Sequence, residues 1–126
     1  VTAYPIGVCV LSQDDDRELN SVILSKGMPM PSEQTQHYRM TEPNQTAVHI
    51  EILQGPEGVA REKCTLLGHF DLLDLPPKPD TEPRIEIRLR LDTNGMLTAT
   101  AWDTESGKSA DLTVDYKNHP GTSRAA

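Results

Sequence analysis

Asn44-Gln45-Thr46-Ala47-Val48-His49-Ile50-Glu51-Ile52-Leu53-Gln54-Gly55 decides how the rest of the chain reads. From Val48 onward apolar and polar residues alternate, so Val48, Ile50 and Ile52 point one way while His49 and Glu51 point the other. Successive side chains of a β-strand fall on opposite faces, so this is a strand with one buried face. Asn44-Gln45 starts it and Gln54-Gly55-Pro56 stops it. Such a strand lies against a second sheet or against a ligand. Which of the two covers Val48 and Ile50 is the functional question.

Strands follow on both sides of it. Upstream, Tyr4–Leu11 is apolar with Gly7 marking a bend or close approach. The polar loop Ser12–Glu18 leads to a second strand, Leu19–Lys26. Gly27-Met28-Pro29-Met30-Pro31 is a connector, because proline donates no ladder hydrogen bond. Glu33–Thr41 is mostly polar and reads as an edge strand with Tyr38 and Met40 on one face. Downstream, Pro56–Glu62 is a loop and Cys64–Leu72 a fifth strand. Asp74–Pro83, with Pro76, Pro77, Pro79 and Pro83, is an extended connector. Arg84–Leu91 alternates without a fault, Ile85, Ile87, Leu89 and Leu91 opposing Arg84, Glu86, Arg88 and Arg90. Asp92-Thr93-Asn94-Gly95 is a tight hairpin signal before Met96–Trp102, and Ser106-Gly107 turns the chain into a last strand carrying Ala110, Leu112, Val114 and Tyr116. No stretch holds a helical period. Eight short strands joined by turns predict an all-β, antiparallel sandwich or barrel, with the evenly spaced last four strands as a meander.

Composition narrows the function. The length of 126 residues suffices for one domain with its own core. One Trp, three Tyr and one Phe leave that core to Leu, Ile and Val. Nucleic acid is disfavoured, because the net charge is −7 and the 12 basic residues are scattered rather than clustered. Cys9 and Cys64 sit far apart in apolar runs and read as buried free thiols. No apolar run approaches a membrane span and no leader pattern precedes the domain, so no membrane partner is expected. The chain begins at Val1 and reads as a fragment or processed piece with neighbouring domains missing.

Chemistry finds little footing. His37, His49, His69 and His119 show no metal-ligand spacing, and His49 reads as an exposed surface histidine. No Gly-x-Ser-x-Gly, phosphate loop or His-Glu-x-x-His occurs, and Asp92-Thr93-Asn94-Gly95 lacks the remaining ligands of a calcium loop. The acidic Asp14-Asp15-Asp16 run reads as a solvated loop tip, and Asn44-Gln45-Thr46 as a chance glycosylation pattern. No catalytic, metal or cofactor residue is expected. Binding is the better reading, since a sheet can hold an extended peptide through backbone hydrogen bonds and apolar pockets.

Three segments together resemble the peptide-binding β-domain of the 70-kilodalton heat-shock chaperones, the DnaK type. Asn44-Gln45-Thr46-Ala47-Val48 running to Leu53-Gln54-Gly55 is the first. Leu67-Gly68-His69-Phe70-Asp71-Leu72 leading to Pro76-Pro77 and Pro79 is the second. Pro83-Arg84-Ile85-Glu86-Ile87, then Asp92, Asn94-Gly95-Met96-Leu97 and Ser106-Gly107-Lys108, is the third. Order and spacing make the match specific, over roughly Val1–Asn118. The resemblance implies a sandwich of two four-stranded sheets over 1–118, and the small, polar tail 119–126 reads as disordered. It also implies a channel that holds extended hydrophobic segments of unfolded polypeptides. By the match, Val48 floors the channel's pocket, Val8, Tyr38, Ile50, Ile85 and Ile87 surround it, and Leu11 and Thr41 arch over it. Further implications are ATP in a separate upstream nucleotide-binding domain that gates this one, a J-domain co-chaperone, a nucleotide-exchange factor and a cytoplasmic location. This chain itself is expected to be no enzyme and to hold no cofactor.

The sequence departs from that pattern in places. Ser12–Glu18 is longer and more acidic than the family's loop, Thr41 stands where Ala or Tyr is usual, and Pro29 is added beside Pro31. The chain ends where the family's helical lid would begin, and 119–126 lacks a helix-start pattern, which favours a lidless form. The competing class is a non-catalytic sandwich module with a fixed protein partner. Alternation alone would place Val48, Ile50, Ile85 and Ile87 in the inter-sheet core. The resemblance moves Val48 and Ile50 partly into the channel and leaves Ile52, Leu89 and Leu91 as core.

Overall fold

The computed structural model describes Thr2, 4–12 and 14–117. The expected tail 119–126 lies outside the described residues. The elements in order are β1 (Ile6–Leu11), β2 (Glu18–Leu24), β3 (Ser32–Arg39), β4 (Val48–Gln54), one 3-10 turn (Arg61–Lys63), β5 (Thr65–Leu72), β6 (Pro83–Leu91), β7 (Met96–Asp103) and β8 (Ser109–Asp115). They form two antiparallel four-stranded sheets, ordered β2-β1-β4-β5 and β3-β6-β7-β8. This is the expected all-β sandwich, with no helix beyond the 3-10 turn among the described residues. The expected meander of four strands is corrected to three, β6-β7-β8. β5 pairs with β4 in the opposite sheet instead, because the proline-rich connector 73–82 carries the chain from one layer to the other.

The core follows from the alternation. Ile6, Leu24, Ile52, Leu72, Ile85, Leu89, Leu91 and Leu97 are all essentially inaccessible and pack in one cluster. The flanks of the sandwich are drawn together at both sides. At one, the hydroxyls of Tyr38 on β3 and Ser21 on β2 lie 3.0 Å apart. At the other, Gly68 of β5 sits so close to β8 that a Cβ there would come within 2.7 Å of the Leu112 side chain.

Gly7 is required by a close approach, as its place in β1 suggests. The register shifts between Ile6 and Gly7, and a Cβ at Gly7 would overlap the Ser21 carbonyl. The β4–β5 loop lies along the outer edge of β2. Asn20 donates its backbone N–H to the Val59 carbonyl at 2.9 Å and accepts from Gly58 N–H at 2.8 Å, Ala60 bridges to Leu19, and a Glu57 carboxylate oxygen accepts the Val22 N–H at 2.9 Å. Beneath this loop the Asn20 amide nitrogen donates to the Gly55 carbonyl at 2.8 Å.

Candidate functional site

The strand on which the sequence turns begins four residues later than its pattern suggests, at Val48. Residues 44–47 form the end of the β3–β4 loop, because Asn44 takes a positive φ of 60° and the Gln45 side chain fastens the loop onto itself. Its Oε1 accepts hydrogen bonds from the Thr41 N–H at 2.9 Å, the Thr41 hydroxyl at 2.7 Å and the Glu42 N–H at 3.1 Å, and its Nε2 donates to the Ala47 carbonyl at 2.6 Å.

β4 pairs with β1 only from Ile52 to Gln54, opposite Val8 to Ile6. Beyond Val8↔Ile52 the ladder stops. β1 remains paired to β2 as far as Leu11↔Glu18, and β4 remains paired to β5 as far as Val48↔Leu72. The two central strands of one sheet are thus paired on their outer sides and unpaired toward each other over 9–11 and 48–51. An open groove of about 1090 Å³ lies there. Val8, Leu11, Tyr38, Thr41, Val48, Ile50, Ile85 and Ile87, the eight residues named from the sequence, all line it. Val8, Ile50, Ile85 and Ile87 form its buried wall and floor, Val48 and Tyr38 are half-buried, and Leu11 and Thr41 stand exposed at the lips. Ile52, Leu89 and Leu91 do not line it and remain core.

Sequence reading misses Val10, Met40 and Gln45, which also line the groove. Val10 and Met40 follow Val8 and Tyr38 by two positions, so period two is a signal for both. Gln45 carries no signal beyond its place in the motif, since its role depends on a loop conformation.

The lips carry charge. Asp16, Glu18, Glu51 and Asp71 line the groove on the side of the first sheet, with Arg39 on the other. His49 is exposed, as expected, but not isolated. Its Nδ1 lies 2.7 Å from Asp71 and its Nε2 3.6 Å from Glu51, and the Asp71 hydrogen bond raises its pKa. Glu51 also receives both Nε and Nη2 of Arg61, which holds its carboxyl below the usual range. Among the described residues, Cys9, Glu18 and Glu51 bring one ligand atom each within 4.8 Å of one another, a convergence that spacing does not reveal. Glu51 is engaged by Arg61, and burial followed by the Glu18 charge pushes the Cys9 thiol up to about 12. A thiol so held is a poor nucleophile at neutral pH. Both cysteines are free and half-buried rather than fully buried.

One buried ion pair stands behind the site. Arg84 donates Nε to one Asp103 oxygen at 2.6 Å and Nη2 to the other at 2.9 Å, the two residues being 5% and 0% exposed. Burial alone would raise the Asp103 pKa, but hydrogen bonds from Arg84 and Ser106 outweigh it and hold the carboxyl well below its usual range.

No helix of the described residues is long and apolar enough to cross a membrane. A family model described as Hsp70 protein matches residues 12–125, the span from β2 through β8, and the chain accordingly belongs to the Hsp70 protein family.

Proposed function

We propose that this domain captures extended, apolar segments of unfolded polypeptide in the groove between β1 and β4, and does so by binding alone. The supporting observation is the interrupted ladder, in which two central strands stay paired outward and open toward each other above an aliphatic floor. A client lying there meets backbone edges on both sides, and each hydrogen bond it forms is worth about 0.5–1.5 kcal/mol net. A Leu side chain set over Val48 and Ile50 adds about 1.5–3 kcal/mol. Those sums fit reversible capture of many sequences. In the whole protein the groove would be gated by ATP turnover in a separate nucleotide-binding domain, assisted by a J-domain co-chaperone and a nucleotide-exchange factor, in the cytoplasm.

The test is a titration of a fluorescently labelled, Leu-rich heptapeptide followed by anisotropy. The native domain is expected to bind, and Val48→Phe, which fills the floor from a half-exposed position, is expected to abolish binding while leaving the circular dichroism spectrum and melting transition intact. A native domain that ignores the peptide, or a folded mutant that binds equally well, overturns the reading in favour of a module with a fixed partner.

A further inference from the structure

The loop that carries Thr41 and Gln45 is anchored away from its own strands. The Asn44 N–H donates to the Lys78 carbonyl at 2.6 Å, and the Thr46 carbonyl accepts the Leu75 N–H at 2.9 Å. Both partners lie in the proline-rich connector between β5 and β6. A connector so rich in proline forms no ladder of its own and needs another support. Arg84 supplies one. Its Nη2 reaches the Pro76 carbonyl at 2.6 Å while also engaging Asp103. Asp103 is in turn gripped by the β7–β8 turn, through the Ser106 hydroxyl at 2.6 Å and the Glu105 N–H at 3.1 Å. The Arg84 carbonyl accepts the Thr104 N–H at 2.9 Å and the Thr104 hydroxyl at 3.0 Å. A second tie, Lys78 to Glu105 at 3.3 Å, joins the same connector to the same turn at the surface.

We infer that Arg84 is a positioning residue for the groove: through the β5–β6 connector it holds the β3–β4 loop, with Thr41 and Gln45, at a fixed height over the bound segment. The planar guanidinium is what makes this possible. It presents several N–H groups in fixed directions, so one side chain serves Asp103 with two of them and the Pro76 carbonyl as well. A lysine can keep the charge opposite Asp103 but has no second fixed arm for the connector. The inference rests on the peptide-capture reading above and adds what sets the lifetime of the captured state.

The experiment compares the native domain with Arg84→Lys by two measurements. Amide hydrogen exchange reads the Asn44 and Leu75 N–H groups against core amides such as Leu89, and needs no client. The expected result is exchange about tenfold faster at Asn44 and Leu75, with the core amides unchanged. Stopped-flow dissociation of the labelled heptapeptide is expected to be about fivefold faster, with association altered by less than about twofold. Unchanged exchange at Asn44 and Leu75 overturns the inference. So does faster exchange everywhere, which would make the pair a support of the whole fold, and so does loop loosening without faster dissociation. A native domain that binds no peptide at all overturns the capture reading itself, a different result that the unsubstituted protein alone reveals.

Discussion

At the scale of single residues, an exposed histidine at the groove lip carries a pH signature. His49 stands at the groove lip with its ring about half exposed, its Nδ1 on Asp71 and its Nε2 facing Glu51, and the His69 ring tilted against it at 5.6 Å. The Asp71 hydrogen bond comes first among the causes that raise its pKa, with burial opposing. A histidine whose pKa is raised by folding contributes stability that is complete below its unfolded value near 6.5 and is lost as pH rises through the higher folded value. At this exposure solvent screens the pair and the contribution is small. The expected outcome is therefore read on the ring itself: in an NMR titration His49 has its midpoint above about 6.5, and Asp71→Asn returns it toward that value. A midpoint unmoved by the substitution would show that Asp71 does not hold the proton.

At the scale of elements, β1 shows how a strand is fixed by what it cannot accommodate. A Cβ on Gly7 would meet the Ser21 backbone carbonyl, which has no rotamer to escape into. Gly7→Ala is expected to destabilise the domain by about 1–3 kcal/mol in urea unfolding, with the slope of the transition unchanged. A cost near zero would mean that β1 and β2 separate freely. A glycine inside an apolar run makes this close approach legible in the sequence. So does the alternation of β6 for the core, where Ile85, Ile87, Leu89 and Leu91 are all buried. Other features are not legible there, for a common reason. The register shift between Ile52 and Leu53, opposite which Leu67 is the extra residue on β5, changes the ladder without altering composition. The loop conformation of 44–47 depends on Gln45 reaching back to Thr41. The assignment of β5 to the first sheet depends on where the connector after it leads. Period two reports which face a residue takes, and it is silent on which strand lies alongside.

For the whole molecule, the division of β4 into groove and core is the point on which fold and function meet. Ile52 is wholly buried between the sheets, whereas Val48, on the same face four residues away, is only half covered. Ile52→Ala is expected to cost about 2–5 kcal/mol of stability, the usual range for a cavity in a closed core. Val48→Ala is expected to cost about 1 kcal/mol, since part of what it loses is contact with solvent. Equal costs in chemical denaturation would place Val48 in the core and leave the groove without its floor. The residues around Val48 are named from a motif, because the same alternation describes both a closed core and the lining of an open groove.

The β4–β5 loop along β2 has a consequence for solubility. On the capture reading proposed above, the domain works among sequences prone to form cross-β aggregates, and a bare outer strand would template them. Here the Glu57 carboxylate and the backbone of Gly58 and Val59 already occupy hydrogen-bonding groups of Asn20 and Val22 on that flank. Strand addition at these positions of β2 is blocked, so a second chain finds no continuous template along this flank.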